Sequence, residues 1–214
     1  MCKICGNNTV KKNIGKLLYD FCPVCGFLSK DERYILDSKS EFERYLKHDN
    51  DDNENYYNYQ EKFYFEIKEY LGDTNLDFGC GYGKVLVNIL NKNGYETIGY
   101  DLYFHPDVKY EKHLYDAIIL EEVIEHLKDP KEVLNNLINL LNTNGKIIIR
   151  TQFTPLEVFD INWWYLRDTT HISFFNYETF EYLCKVFPLK IIYCNDKDLI
   201  ILQREEWLFD LTYC

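Results

Sequence analysis

The sequence predicts an α/β fold that carries a small, metal-stapled head. Three observations make this case. Two C-x2-C pairs stand within the first 30 residues. A short strand at 75–78 runs into Gly79-Cys80-Gly81-Tyr82-Gly83, and apolar residues at helical spacing follow. A second strand, about Glu96–Tyr100, ends on Asp101. Strand, glycine turn and helix in that order build the crevice where open α/β sheets bind ligands.

The head comes first. Cys2-Lys3-Ile4-Cys5 and Cys22-Pro23-Val24-Cys25 are separated by 16 residues, and a glycine follows each pair. Each pair places two thiolates at a spacing that suits one tetrahedral zinc ion. A hairpin over roughly 9–21, turning near Asn13 and Gly15, joins the knuckles into a zinc ribbon with ligands Cys2, Cys5, Cys22 and Cys25. Thirty residues bury little core, so the metal supplies folding energy. A disulfide framework requires an oxidising compartment. The start, Met1-Cys2-Lys3-Ile4-Cys5, lacks the apolar run of a secretory signal, which points to a cytoplasmic protein. Cys80, Cys184, Cys194 and Cys214 read as buried or incidental thiols.

Four segments result: a ribbon at 1–30, a polar linker at 31–55, the main domain at 56–204 and a tail at 205–214. Asp49 to Asn55 reads as a solvated loop without the ligand spacing of a calcium site. Tyr56 to Leu71 has the apolar spacing of a helix with one buried face, ending at Gly72.

The glycine turn narrows the choice of ligand. A dinucleotide fingerprint requires glycine where Lys84 stands, and the phosphate loop fails at Gly79 and Val85. Asp101 lies 20 residues beyond Gly81. A carboxylate at that strand end accepts both hydrogen bonds of a ribose diol. Lys190–Cys194 and Leu199–Gln203, split by Asn195-Asp196-Lys197-Asp198, read as an antiparallel hairpin.

At this point the sequence resembles the class I S-adenosylmethionine-dependent methyltransferases. LDFGCGYGKVL is similar to their first motif and IGYDL to their second. YDAIILEEVIEHLKDP (115–130) is similar to the fourth-strand motif, and LLNTNGKIIIRTQ (140–152) to the fifth. The resemblance covers roughly 60–204. It implies a Rossmann-like methyltransferase sheet of seven strands, mostly parallel, with a C-terminal antiparallel hairpin. It also implies S-adenosyl-L-methionine as cofactor. Asp77, Gly79, Cys80, Gly81 and Gly83 would surround its methionine moiety. Asp101 and Leu102 would hold the ribose side, and Glu121 and Glu122 would face cofactor or substrate. Relatives place a helix and a third strand between the positions of Asp101 and Asp116, whereas only 14 residues separate the two in this chain. Here either the adenine pocket is reduced or a second subunit of a homodimer completes it.

Acceptor groups belong at the carboxyl ends of strands four and five. Glu121 to His126 is expected to begin the helix after strand four. Trp163 to Ile172 follows strand five and combines aromatic area with polar groups. His171 is the first candidate base, because neutral imidazole is available near neutral pH. His126 is the second, and Glu122 stands beside them. The ribbon ahead of this domain also resembles a bacterial group that modifies sugars and small metabolites, without that group's large C-terminal domain.

Composition bounds the partners. The 214 residues are 46% hydrophobic and 17% aromatic, which excludes wholesale disorder. No stretch is long and apolar enough for a membrane span. The net charge is −11, and residues 1–30 carry five lysines against Asp20 alone. An acidic body repels phosphate backbones, so a small-molecule acceptor is expected rather than nucleic acid. Two other readings stay open: an RNA or protein methyltransferase guided by the basic ribbon, and a non-catalytic zinc-ribbon interaction protein on a degenerate methyltransferase fold.

Overall fold

Two sheets organise the chain, and a computed structural model describes residues 1–46, 53–155, 158–159 and 163–206 of it. In the head, β1 (Val10–Ile14) and β2 (Leu17–Phe21) form the expected hairpin, with Ile14 opposite Leu17. Strand β3 (Leu28–Lys30) pairs antiparallel with β2. The two C-x2-C turns lie just before β1 and between β2 and β3, each closed by a glycine N–H donating to the first cysteine's carbonyl (Gly6 to Cys2, 3.0 Å; Gly26 to Cys22, 2.9 Å).

The stretch expected as a polar linker contains helix α1 (Ser38–Tyr45). Asp37 caps it, its Oδ1 accepting from the amides of Lys39 and Ser40 at 3.0 Å. None of its residues is buried, which is why apolar spacing did not reveal it. Of the predicted acidic loop, Asp49 to Asp52 lie outside the described residues, as do His48, residues 207–214 of the predicted tail and Cys214 within it. Helix α2 (Glu54–Ile67) follows, capped by Asn53.

The rest of the chain runs through β4 (Thr74–Phe78), helix α3 (Val85–Lys92), β5 (Glu96–Tyr100), β6 (Tyr115–Glu121), helix α4 (Pro130–Asn139), β7 (Leu141–Arg150), β8 (Ser173–Phe174), helix α5 (Tyr177–Val186), β9 (Leu189–Cys194) and β10 (Leu199–Arg204), and all these strands but β8 form the main sheet. Its strand order is β5-β4-β6-β7-β10-β9. The first four run parallel, and the C-terminal hairpin β9–β10 is antiparallel. Six strands therefore stand where the resemblance implied seven. The short chain between β5 and β6 makes only a 3-10 turn, Val108–Lys112, in place of a strand. On the edge this leaves, Thr97 turns both peptide groups outward. The Asn91 side chain accepts from its N–H at 2.8 Å and donates to its carbonyl at 3.2 Å.

Alternate residues of β6 serve opposite faces of the sheet. Ala117 and Ile119 pack with Phe63, Tyr64 and Ile67 of α2 and with Leu86, Ile89 and Leu90 of α3. Ile118 and Leu120 pack with Leu134, Leu137 and Ile138 of α4 and with Phe180 and Leu183 of α5. Cys2, Ile4, Cys22, Cys25 and Phe27 of the head join this second core. Strand β8 pairs with β3, so a strand from the far end of the chain completes the head's sheet.

One local expectation is corrected. Residues 121–126 do not open a helix. Glu122 has φ +51°, and only a 3-10 turn, Ile124–His126, follows. The helix α4 starts later, where Asp129 accepts from Glu132 N and Pro130 fits the first turn. This break turns Glu122, Glu125 and His126 toward the end of the sheet.

Candidate active site

At the carboxyl ends of β4, β5 and β6 lies a cavity of about 550 Å³. The glycine turn forms one wall. The amides of Gly79 and Cys80 both donate to the Tyr100 carbonyl, at 2.7 and 3.0 Å, folding the turn across β5. Gly79 has φ +93°, and a Cβ there would stand 2.3 Å from Val123 Cγ2. Gly81 has φ +65°, and a Cβ there would meet nothing within 4 Å. The first glycine permits close packing, and the second leaves bare main chain facing open space. Lys84, at φ +50°, leads into α3.

Asp101 is tied into this wall. Its Oδ2 accepts from Gly81 N at 3.1 Å, and its Oδ1 accepts from Tyr103 N and Phe104 N at 2.9 and 3.0 Å. Those bonds fix the carboxylate; Oδ1 already accepts two of them, and Oδ2 keeps lone-pair capacity for a further donor. Gly79, Cys80, Gly81, Gly83, Asp101, Leu102, Glu121, Glu122, His126 and His171 all line the cavity. Asp77 does not. It is 4% exposed beneath the turn, and burial, with Glu121 and Asp101 nearby, pushes its carboxyl well above the usual range. Burial likewise raises the Cys80 thiol, which favours its neutral form.

Glu121 accepts from Gln60 Nε2 at 2.7 Å. Burial pushes its carboxyl up to about 7, against the opposing pull of that bond. Opposite the glycine turn stands a tighter cluster. Glu125 is fully buried. Tyr165 Oη lies 3.0 Å from Glu122 Oε2 and in close contact with Glu125 Oε1. A phenol has one proton to donate. The second carboxyl can therefore sit against Tyr165 only by carrying a proton itself, and burial raises both Glu122 and Glu125 accordingly.

The two histidines complete this wall. His171 is 8% exposed, and its Nδ1 lies 2.9 Å from the Tyr165 carbonyl. His126 Nδ1 lies 3.1 Å from the Thr170 carbonyl. A carbonyl only accepts, so Nδ1 donates in each ring, and in a neutral ring this leaves the lone pair on Nε2. Burial holds His171 below its ordinary value, which keeps it neutral near pH 7. The rings meet edge to face at 4.8 Å.

The segment that bears His171 is anchored from two sides. Ile172 N donates to the Glu125 carbonyl and Lys30 N donates to the Ile172 carbonyl, both at 2.9 Å. The Lys30 ammonium donates to the carbonyls of Asp168 and Thr169 at 3.3 and 3.1 Å. Arg44 of α1 pairs with Asp168 at 3.0 Å. Tyr45 of α1 and Tyr56 of α2 line the cavity too. The sequence alone did not single out Tyr45, Tyr56, Lys30, Glu125 or Tyr165. The first four lie in stretches without a motif or at unremarked positions within one. Tyr165 stood inside the aromatic segment, which was the available signal.

In the head, the Sγ atoms of Cys2 and Cys25 lie 3.6 Å apart and those of Cys5 and Cys22 3.3 Å apart. All four lie within 4.8 Å of one another.

A methyltransferase-domain family profile matches residues 28–193. The chain belongs to this methyltransferase-domain family. Two solved structures share the fold. A SAM-dependent methyltransferase from Archaeoglobus fulgidus is 17% identical, with 79% of this chain and 100% of that one covered at a TM-score of 0.51. Magnesium protoporphyrin IX methyltransferase from Synechocystis PCC 6803, solved with bound SAM, is 13% identical, with coverage of 79% and 98% and a TM-score of 0.50. The CurJ carbon methyltransferase is 16% identical at a TM-score of 0.46, and this methyltransferase-domain chain covers 59% of its length. No curated protein sequence matches the chain. No helix among the described residues is long and apolar enough to cross a membrane.

Proposed function

We propose that this chain transfers a methyl group from S-adenosyl-L-methionine to a small polar acceptor, with a sugar or nucleotide-sugar as the preferred class. The observation that carries the reading is one cavity with two unlike walls. Bare main chain at Gly81 and the fixed Asp101 carboxylate form one wall, and His126, His171 and Glu122 form the other. The first wall fits the cofactor. The missing side chain at Gly81 opens space, and the remaining acceptor position on Asp101 Oδ2 suits a ribose hydroxyl. When bound, the cofactor supplies an electrophilic methyl group on a sulfonium.

The chain's own residues align the acceptor and exclude water. Neutral His171 accepts the acceptor's proton at Nε2, and its Nδ1 bond to the Tyr165 carbonyl holds the ring in the required tautomer. His126, oriented the same way by Thr170, stands next to it. Calorimetry with S-adenosylmethionine, followed by mass spectrometry of metabolites one methyl group heavier, tests the reading. No cofactor binding by a folded chain would refute it.

A structural zinc ion in the head belongs to the same reading. Zinc–sulfur bonds of about 2.3 Å set tetrahedral sulfurs roughly 3.8 Å apart, close to the Cys2–Cys25 and Cys5–Cys22 spacings. Cys2, Cys5, Cys22 and Cys25 would fill every position, so the ion would staple the fold and take no part in transfer. The head's positive charge gives little support to an RNA partner. Lys11 pairs with Asp20 and Asp31, and Lys30 is buried.

A further inference from the structure

We propose that Glu125, His126 and His171 bind one divalent transition-metal ion at the acceptor wall of the cavity, apart from the four cysteines. Each residue offers a ligand atom, and these atoms lie within 4.8 Å of one another. An ion about 2.1 Å from each would hold them about 3.0–3.4 Å apart, within reach of small side-chain rotations.

The surroundings of the trio have the form of a metal site's outer layer. Histidines that bind metals donate the other ring N–H to a carbonyl or carboxylate, which fixes the tautomer and raises ligand basicity. Both rings do so here, His126 to Thr170 and His171 to Tyr165. The carboxylate is also oriented, because Tyr165 Oη donates to Glu125 Oε1. Glu125 Oε2 is buried and has no hydrogen-bond partner among the described residues. A buried carboxylate oxygen left in this way is costly, and a cation satisfies it directly. Glu122, on the same phenol, is the carboxyl that keeps its proton when Tyr165 donates to Glu125.

Two imidazoles and a carboxylate suit Mn2+, Fe2+, Co2+ or Zn2+, whereas four thiolates select zinc. Three protein ligands leave coordination positions open, the mark of a site that receives a substrate or water. His126 and His171 line the cavity, so the open positions face it. An acceptor with two neighbouring oxygen donors, such as a vicinal diol, would chelate the ion there. The ion would lower the pKa of the bound hydroxyl so that its proton passes to solvent, and His171 would then act as a ligand, its base role above being that of the ion-free chain. This acceptor class rests on the methyl-transfer reading above. Binding of the ion does not.

Electron paramagnetic resonance of Mn2+ added to the full-length chain, without cofactor, tests the site. Mn2+ favours nitrogen and oxygen over thiolate, so the head does not compete. One bound Mn2+ per chain is expected. Tyr165→Phe should weaken binding about 10–100-fold, the usual cost of losing an orienting partner. Glu125→Gln and His171→Ala should weaken it at least as much. Circular dichroism selects the folded variants for comparison. A folded wild-type chain that leaves all Mn2+ in its aqueous spectrum overturns the proposal, as does wild-type affinity in folded Glu125→Gln. Mn2+ binding without S-adenosylmethionine binding would sink the function reading and leave the ion site standing.

Discussion

The ammonium of Lys30 donates to the main-chain carbonyl of Thr169, two residues before His171. Lys30 belongs to the cysteine-rich head and is 4% exposed. The head thus supports the acceptor wall of the cavity, while the glycine turn and Asp101 stand on the other side. Lys30→Met keeps the packing volume and removes the donor. Cofactor affinity should stay within about twofold, and turnover should fall about tenfold or more through misplacement of His171. Calorimetry and steady-state kinetics on one preparation separate the two effects. Equal losses in both would contradict the division between walls.

Asp101 makes three main-chain hydrogen bonds and faces the cavity. Asp101→Ala should weaken S-adenosylmethionine binding by about 1–3 kcal/mol, the range for hydrogen bonds to a charged acceptor. Isothermal titration reads this directly, and unchanged affinity would remove Asp101 from the cofactor wall.

The cysteines of the head share a core with Phe175, Phe180 and Leu183. If the four thiols hold zinc as proposed, its loss from Cys22→Ser should therefore reach beyond the head. We expect one cooperative thermal transition, lowered by about 10 °C or more, since 1 kcal/mol shifts a chain of this size by about 2–4 °C. Metal content by mass spectrometry accompanies the melt. A variant that melts like the wild type with full zinc content would contradict the cysteine site.

Glu121 gives a pH signature. Its carboxyl is raised from an ordinary value of 4.5 to about 7 by burial. Between those values the folded chain holds a proton that the unfolded chain has released. Its contribution to stability is thus fully present below pH 4.5 and is lost as pH rises through about 7. Glu121→Gln lacks this loss. The stability of the variant relative to the wild type should grow by on the order of 3 kcal/mol across that window. Urea denaturation at several pH values checks it, and a pH-independent difference would place Glu121 in a more solvated setting.

Local chemistry was the legible part of this protein. The C-x2-C pairs, the glycine turn and the aspartate at a strand end each announce themselves within a few residues, because short-range geometry demands those residue types. The β9–β10 hairpin showed itself through its Asn-Asp-Lys-Asp turn. What stayed hidden depends on distant partners. Tyr165 meets Glu125 across 40 residues of chain, and Lys30 meets Thr169 across 139. Helix α1 was invisible because it buries none of its residues. The turn at 122–126 was misjudged because apolar spacing cannot register a left-handed Glu122.

The side chain of Asn91 has a consequence for how copies of this molecule meet. Where a strand is missing, its carboxamide imitates a peptide group and occupies the donor and acceptor of Thr97. One rung of the sheet's border is thereby filled from within the same chain. Another molecule arriving as an extended ribbon would find that rung already taken, and stacking of copies border to border is discouraged without any added bulk or charge.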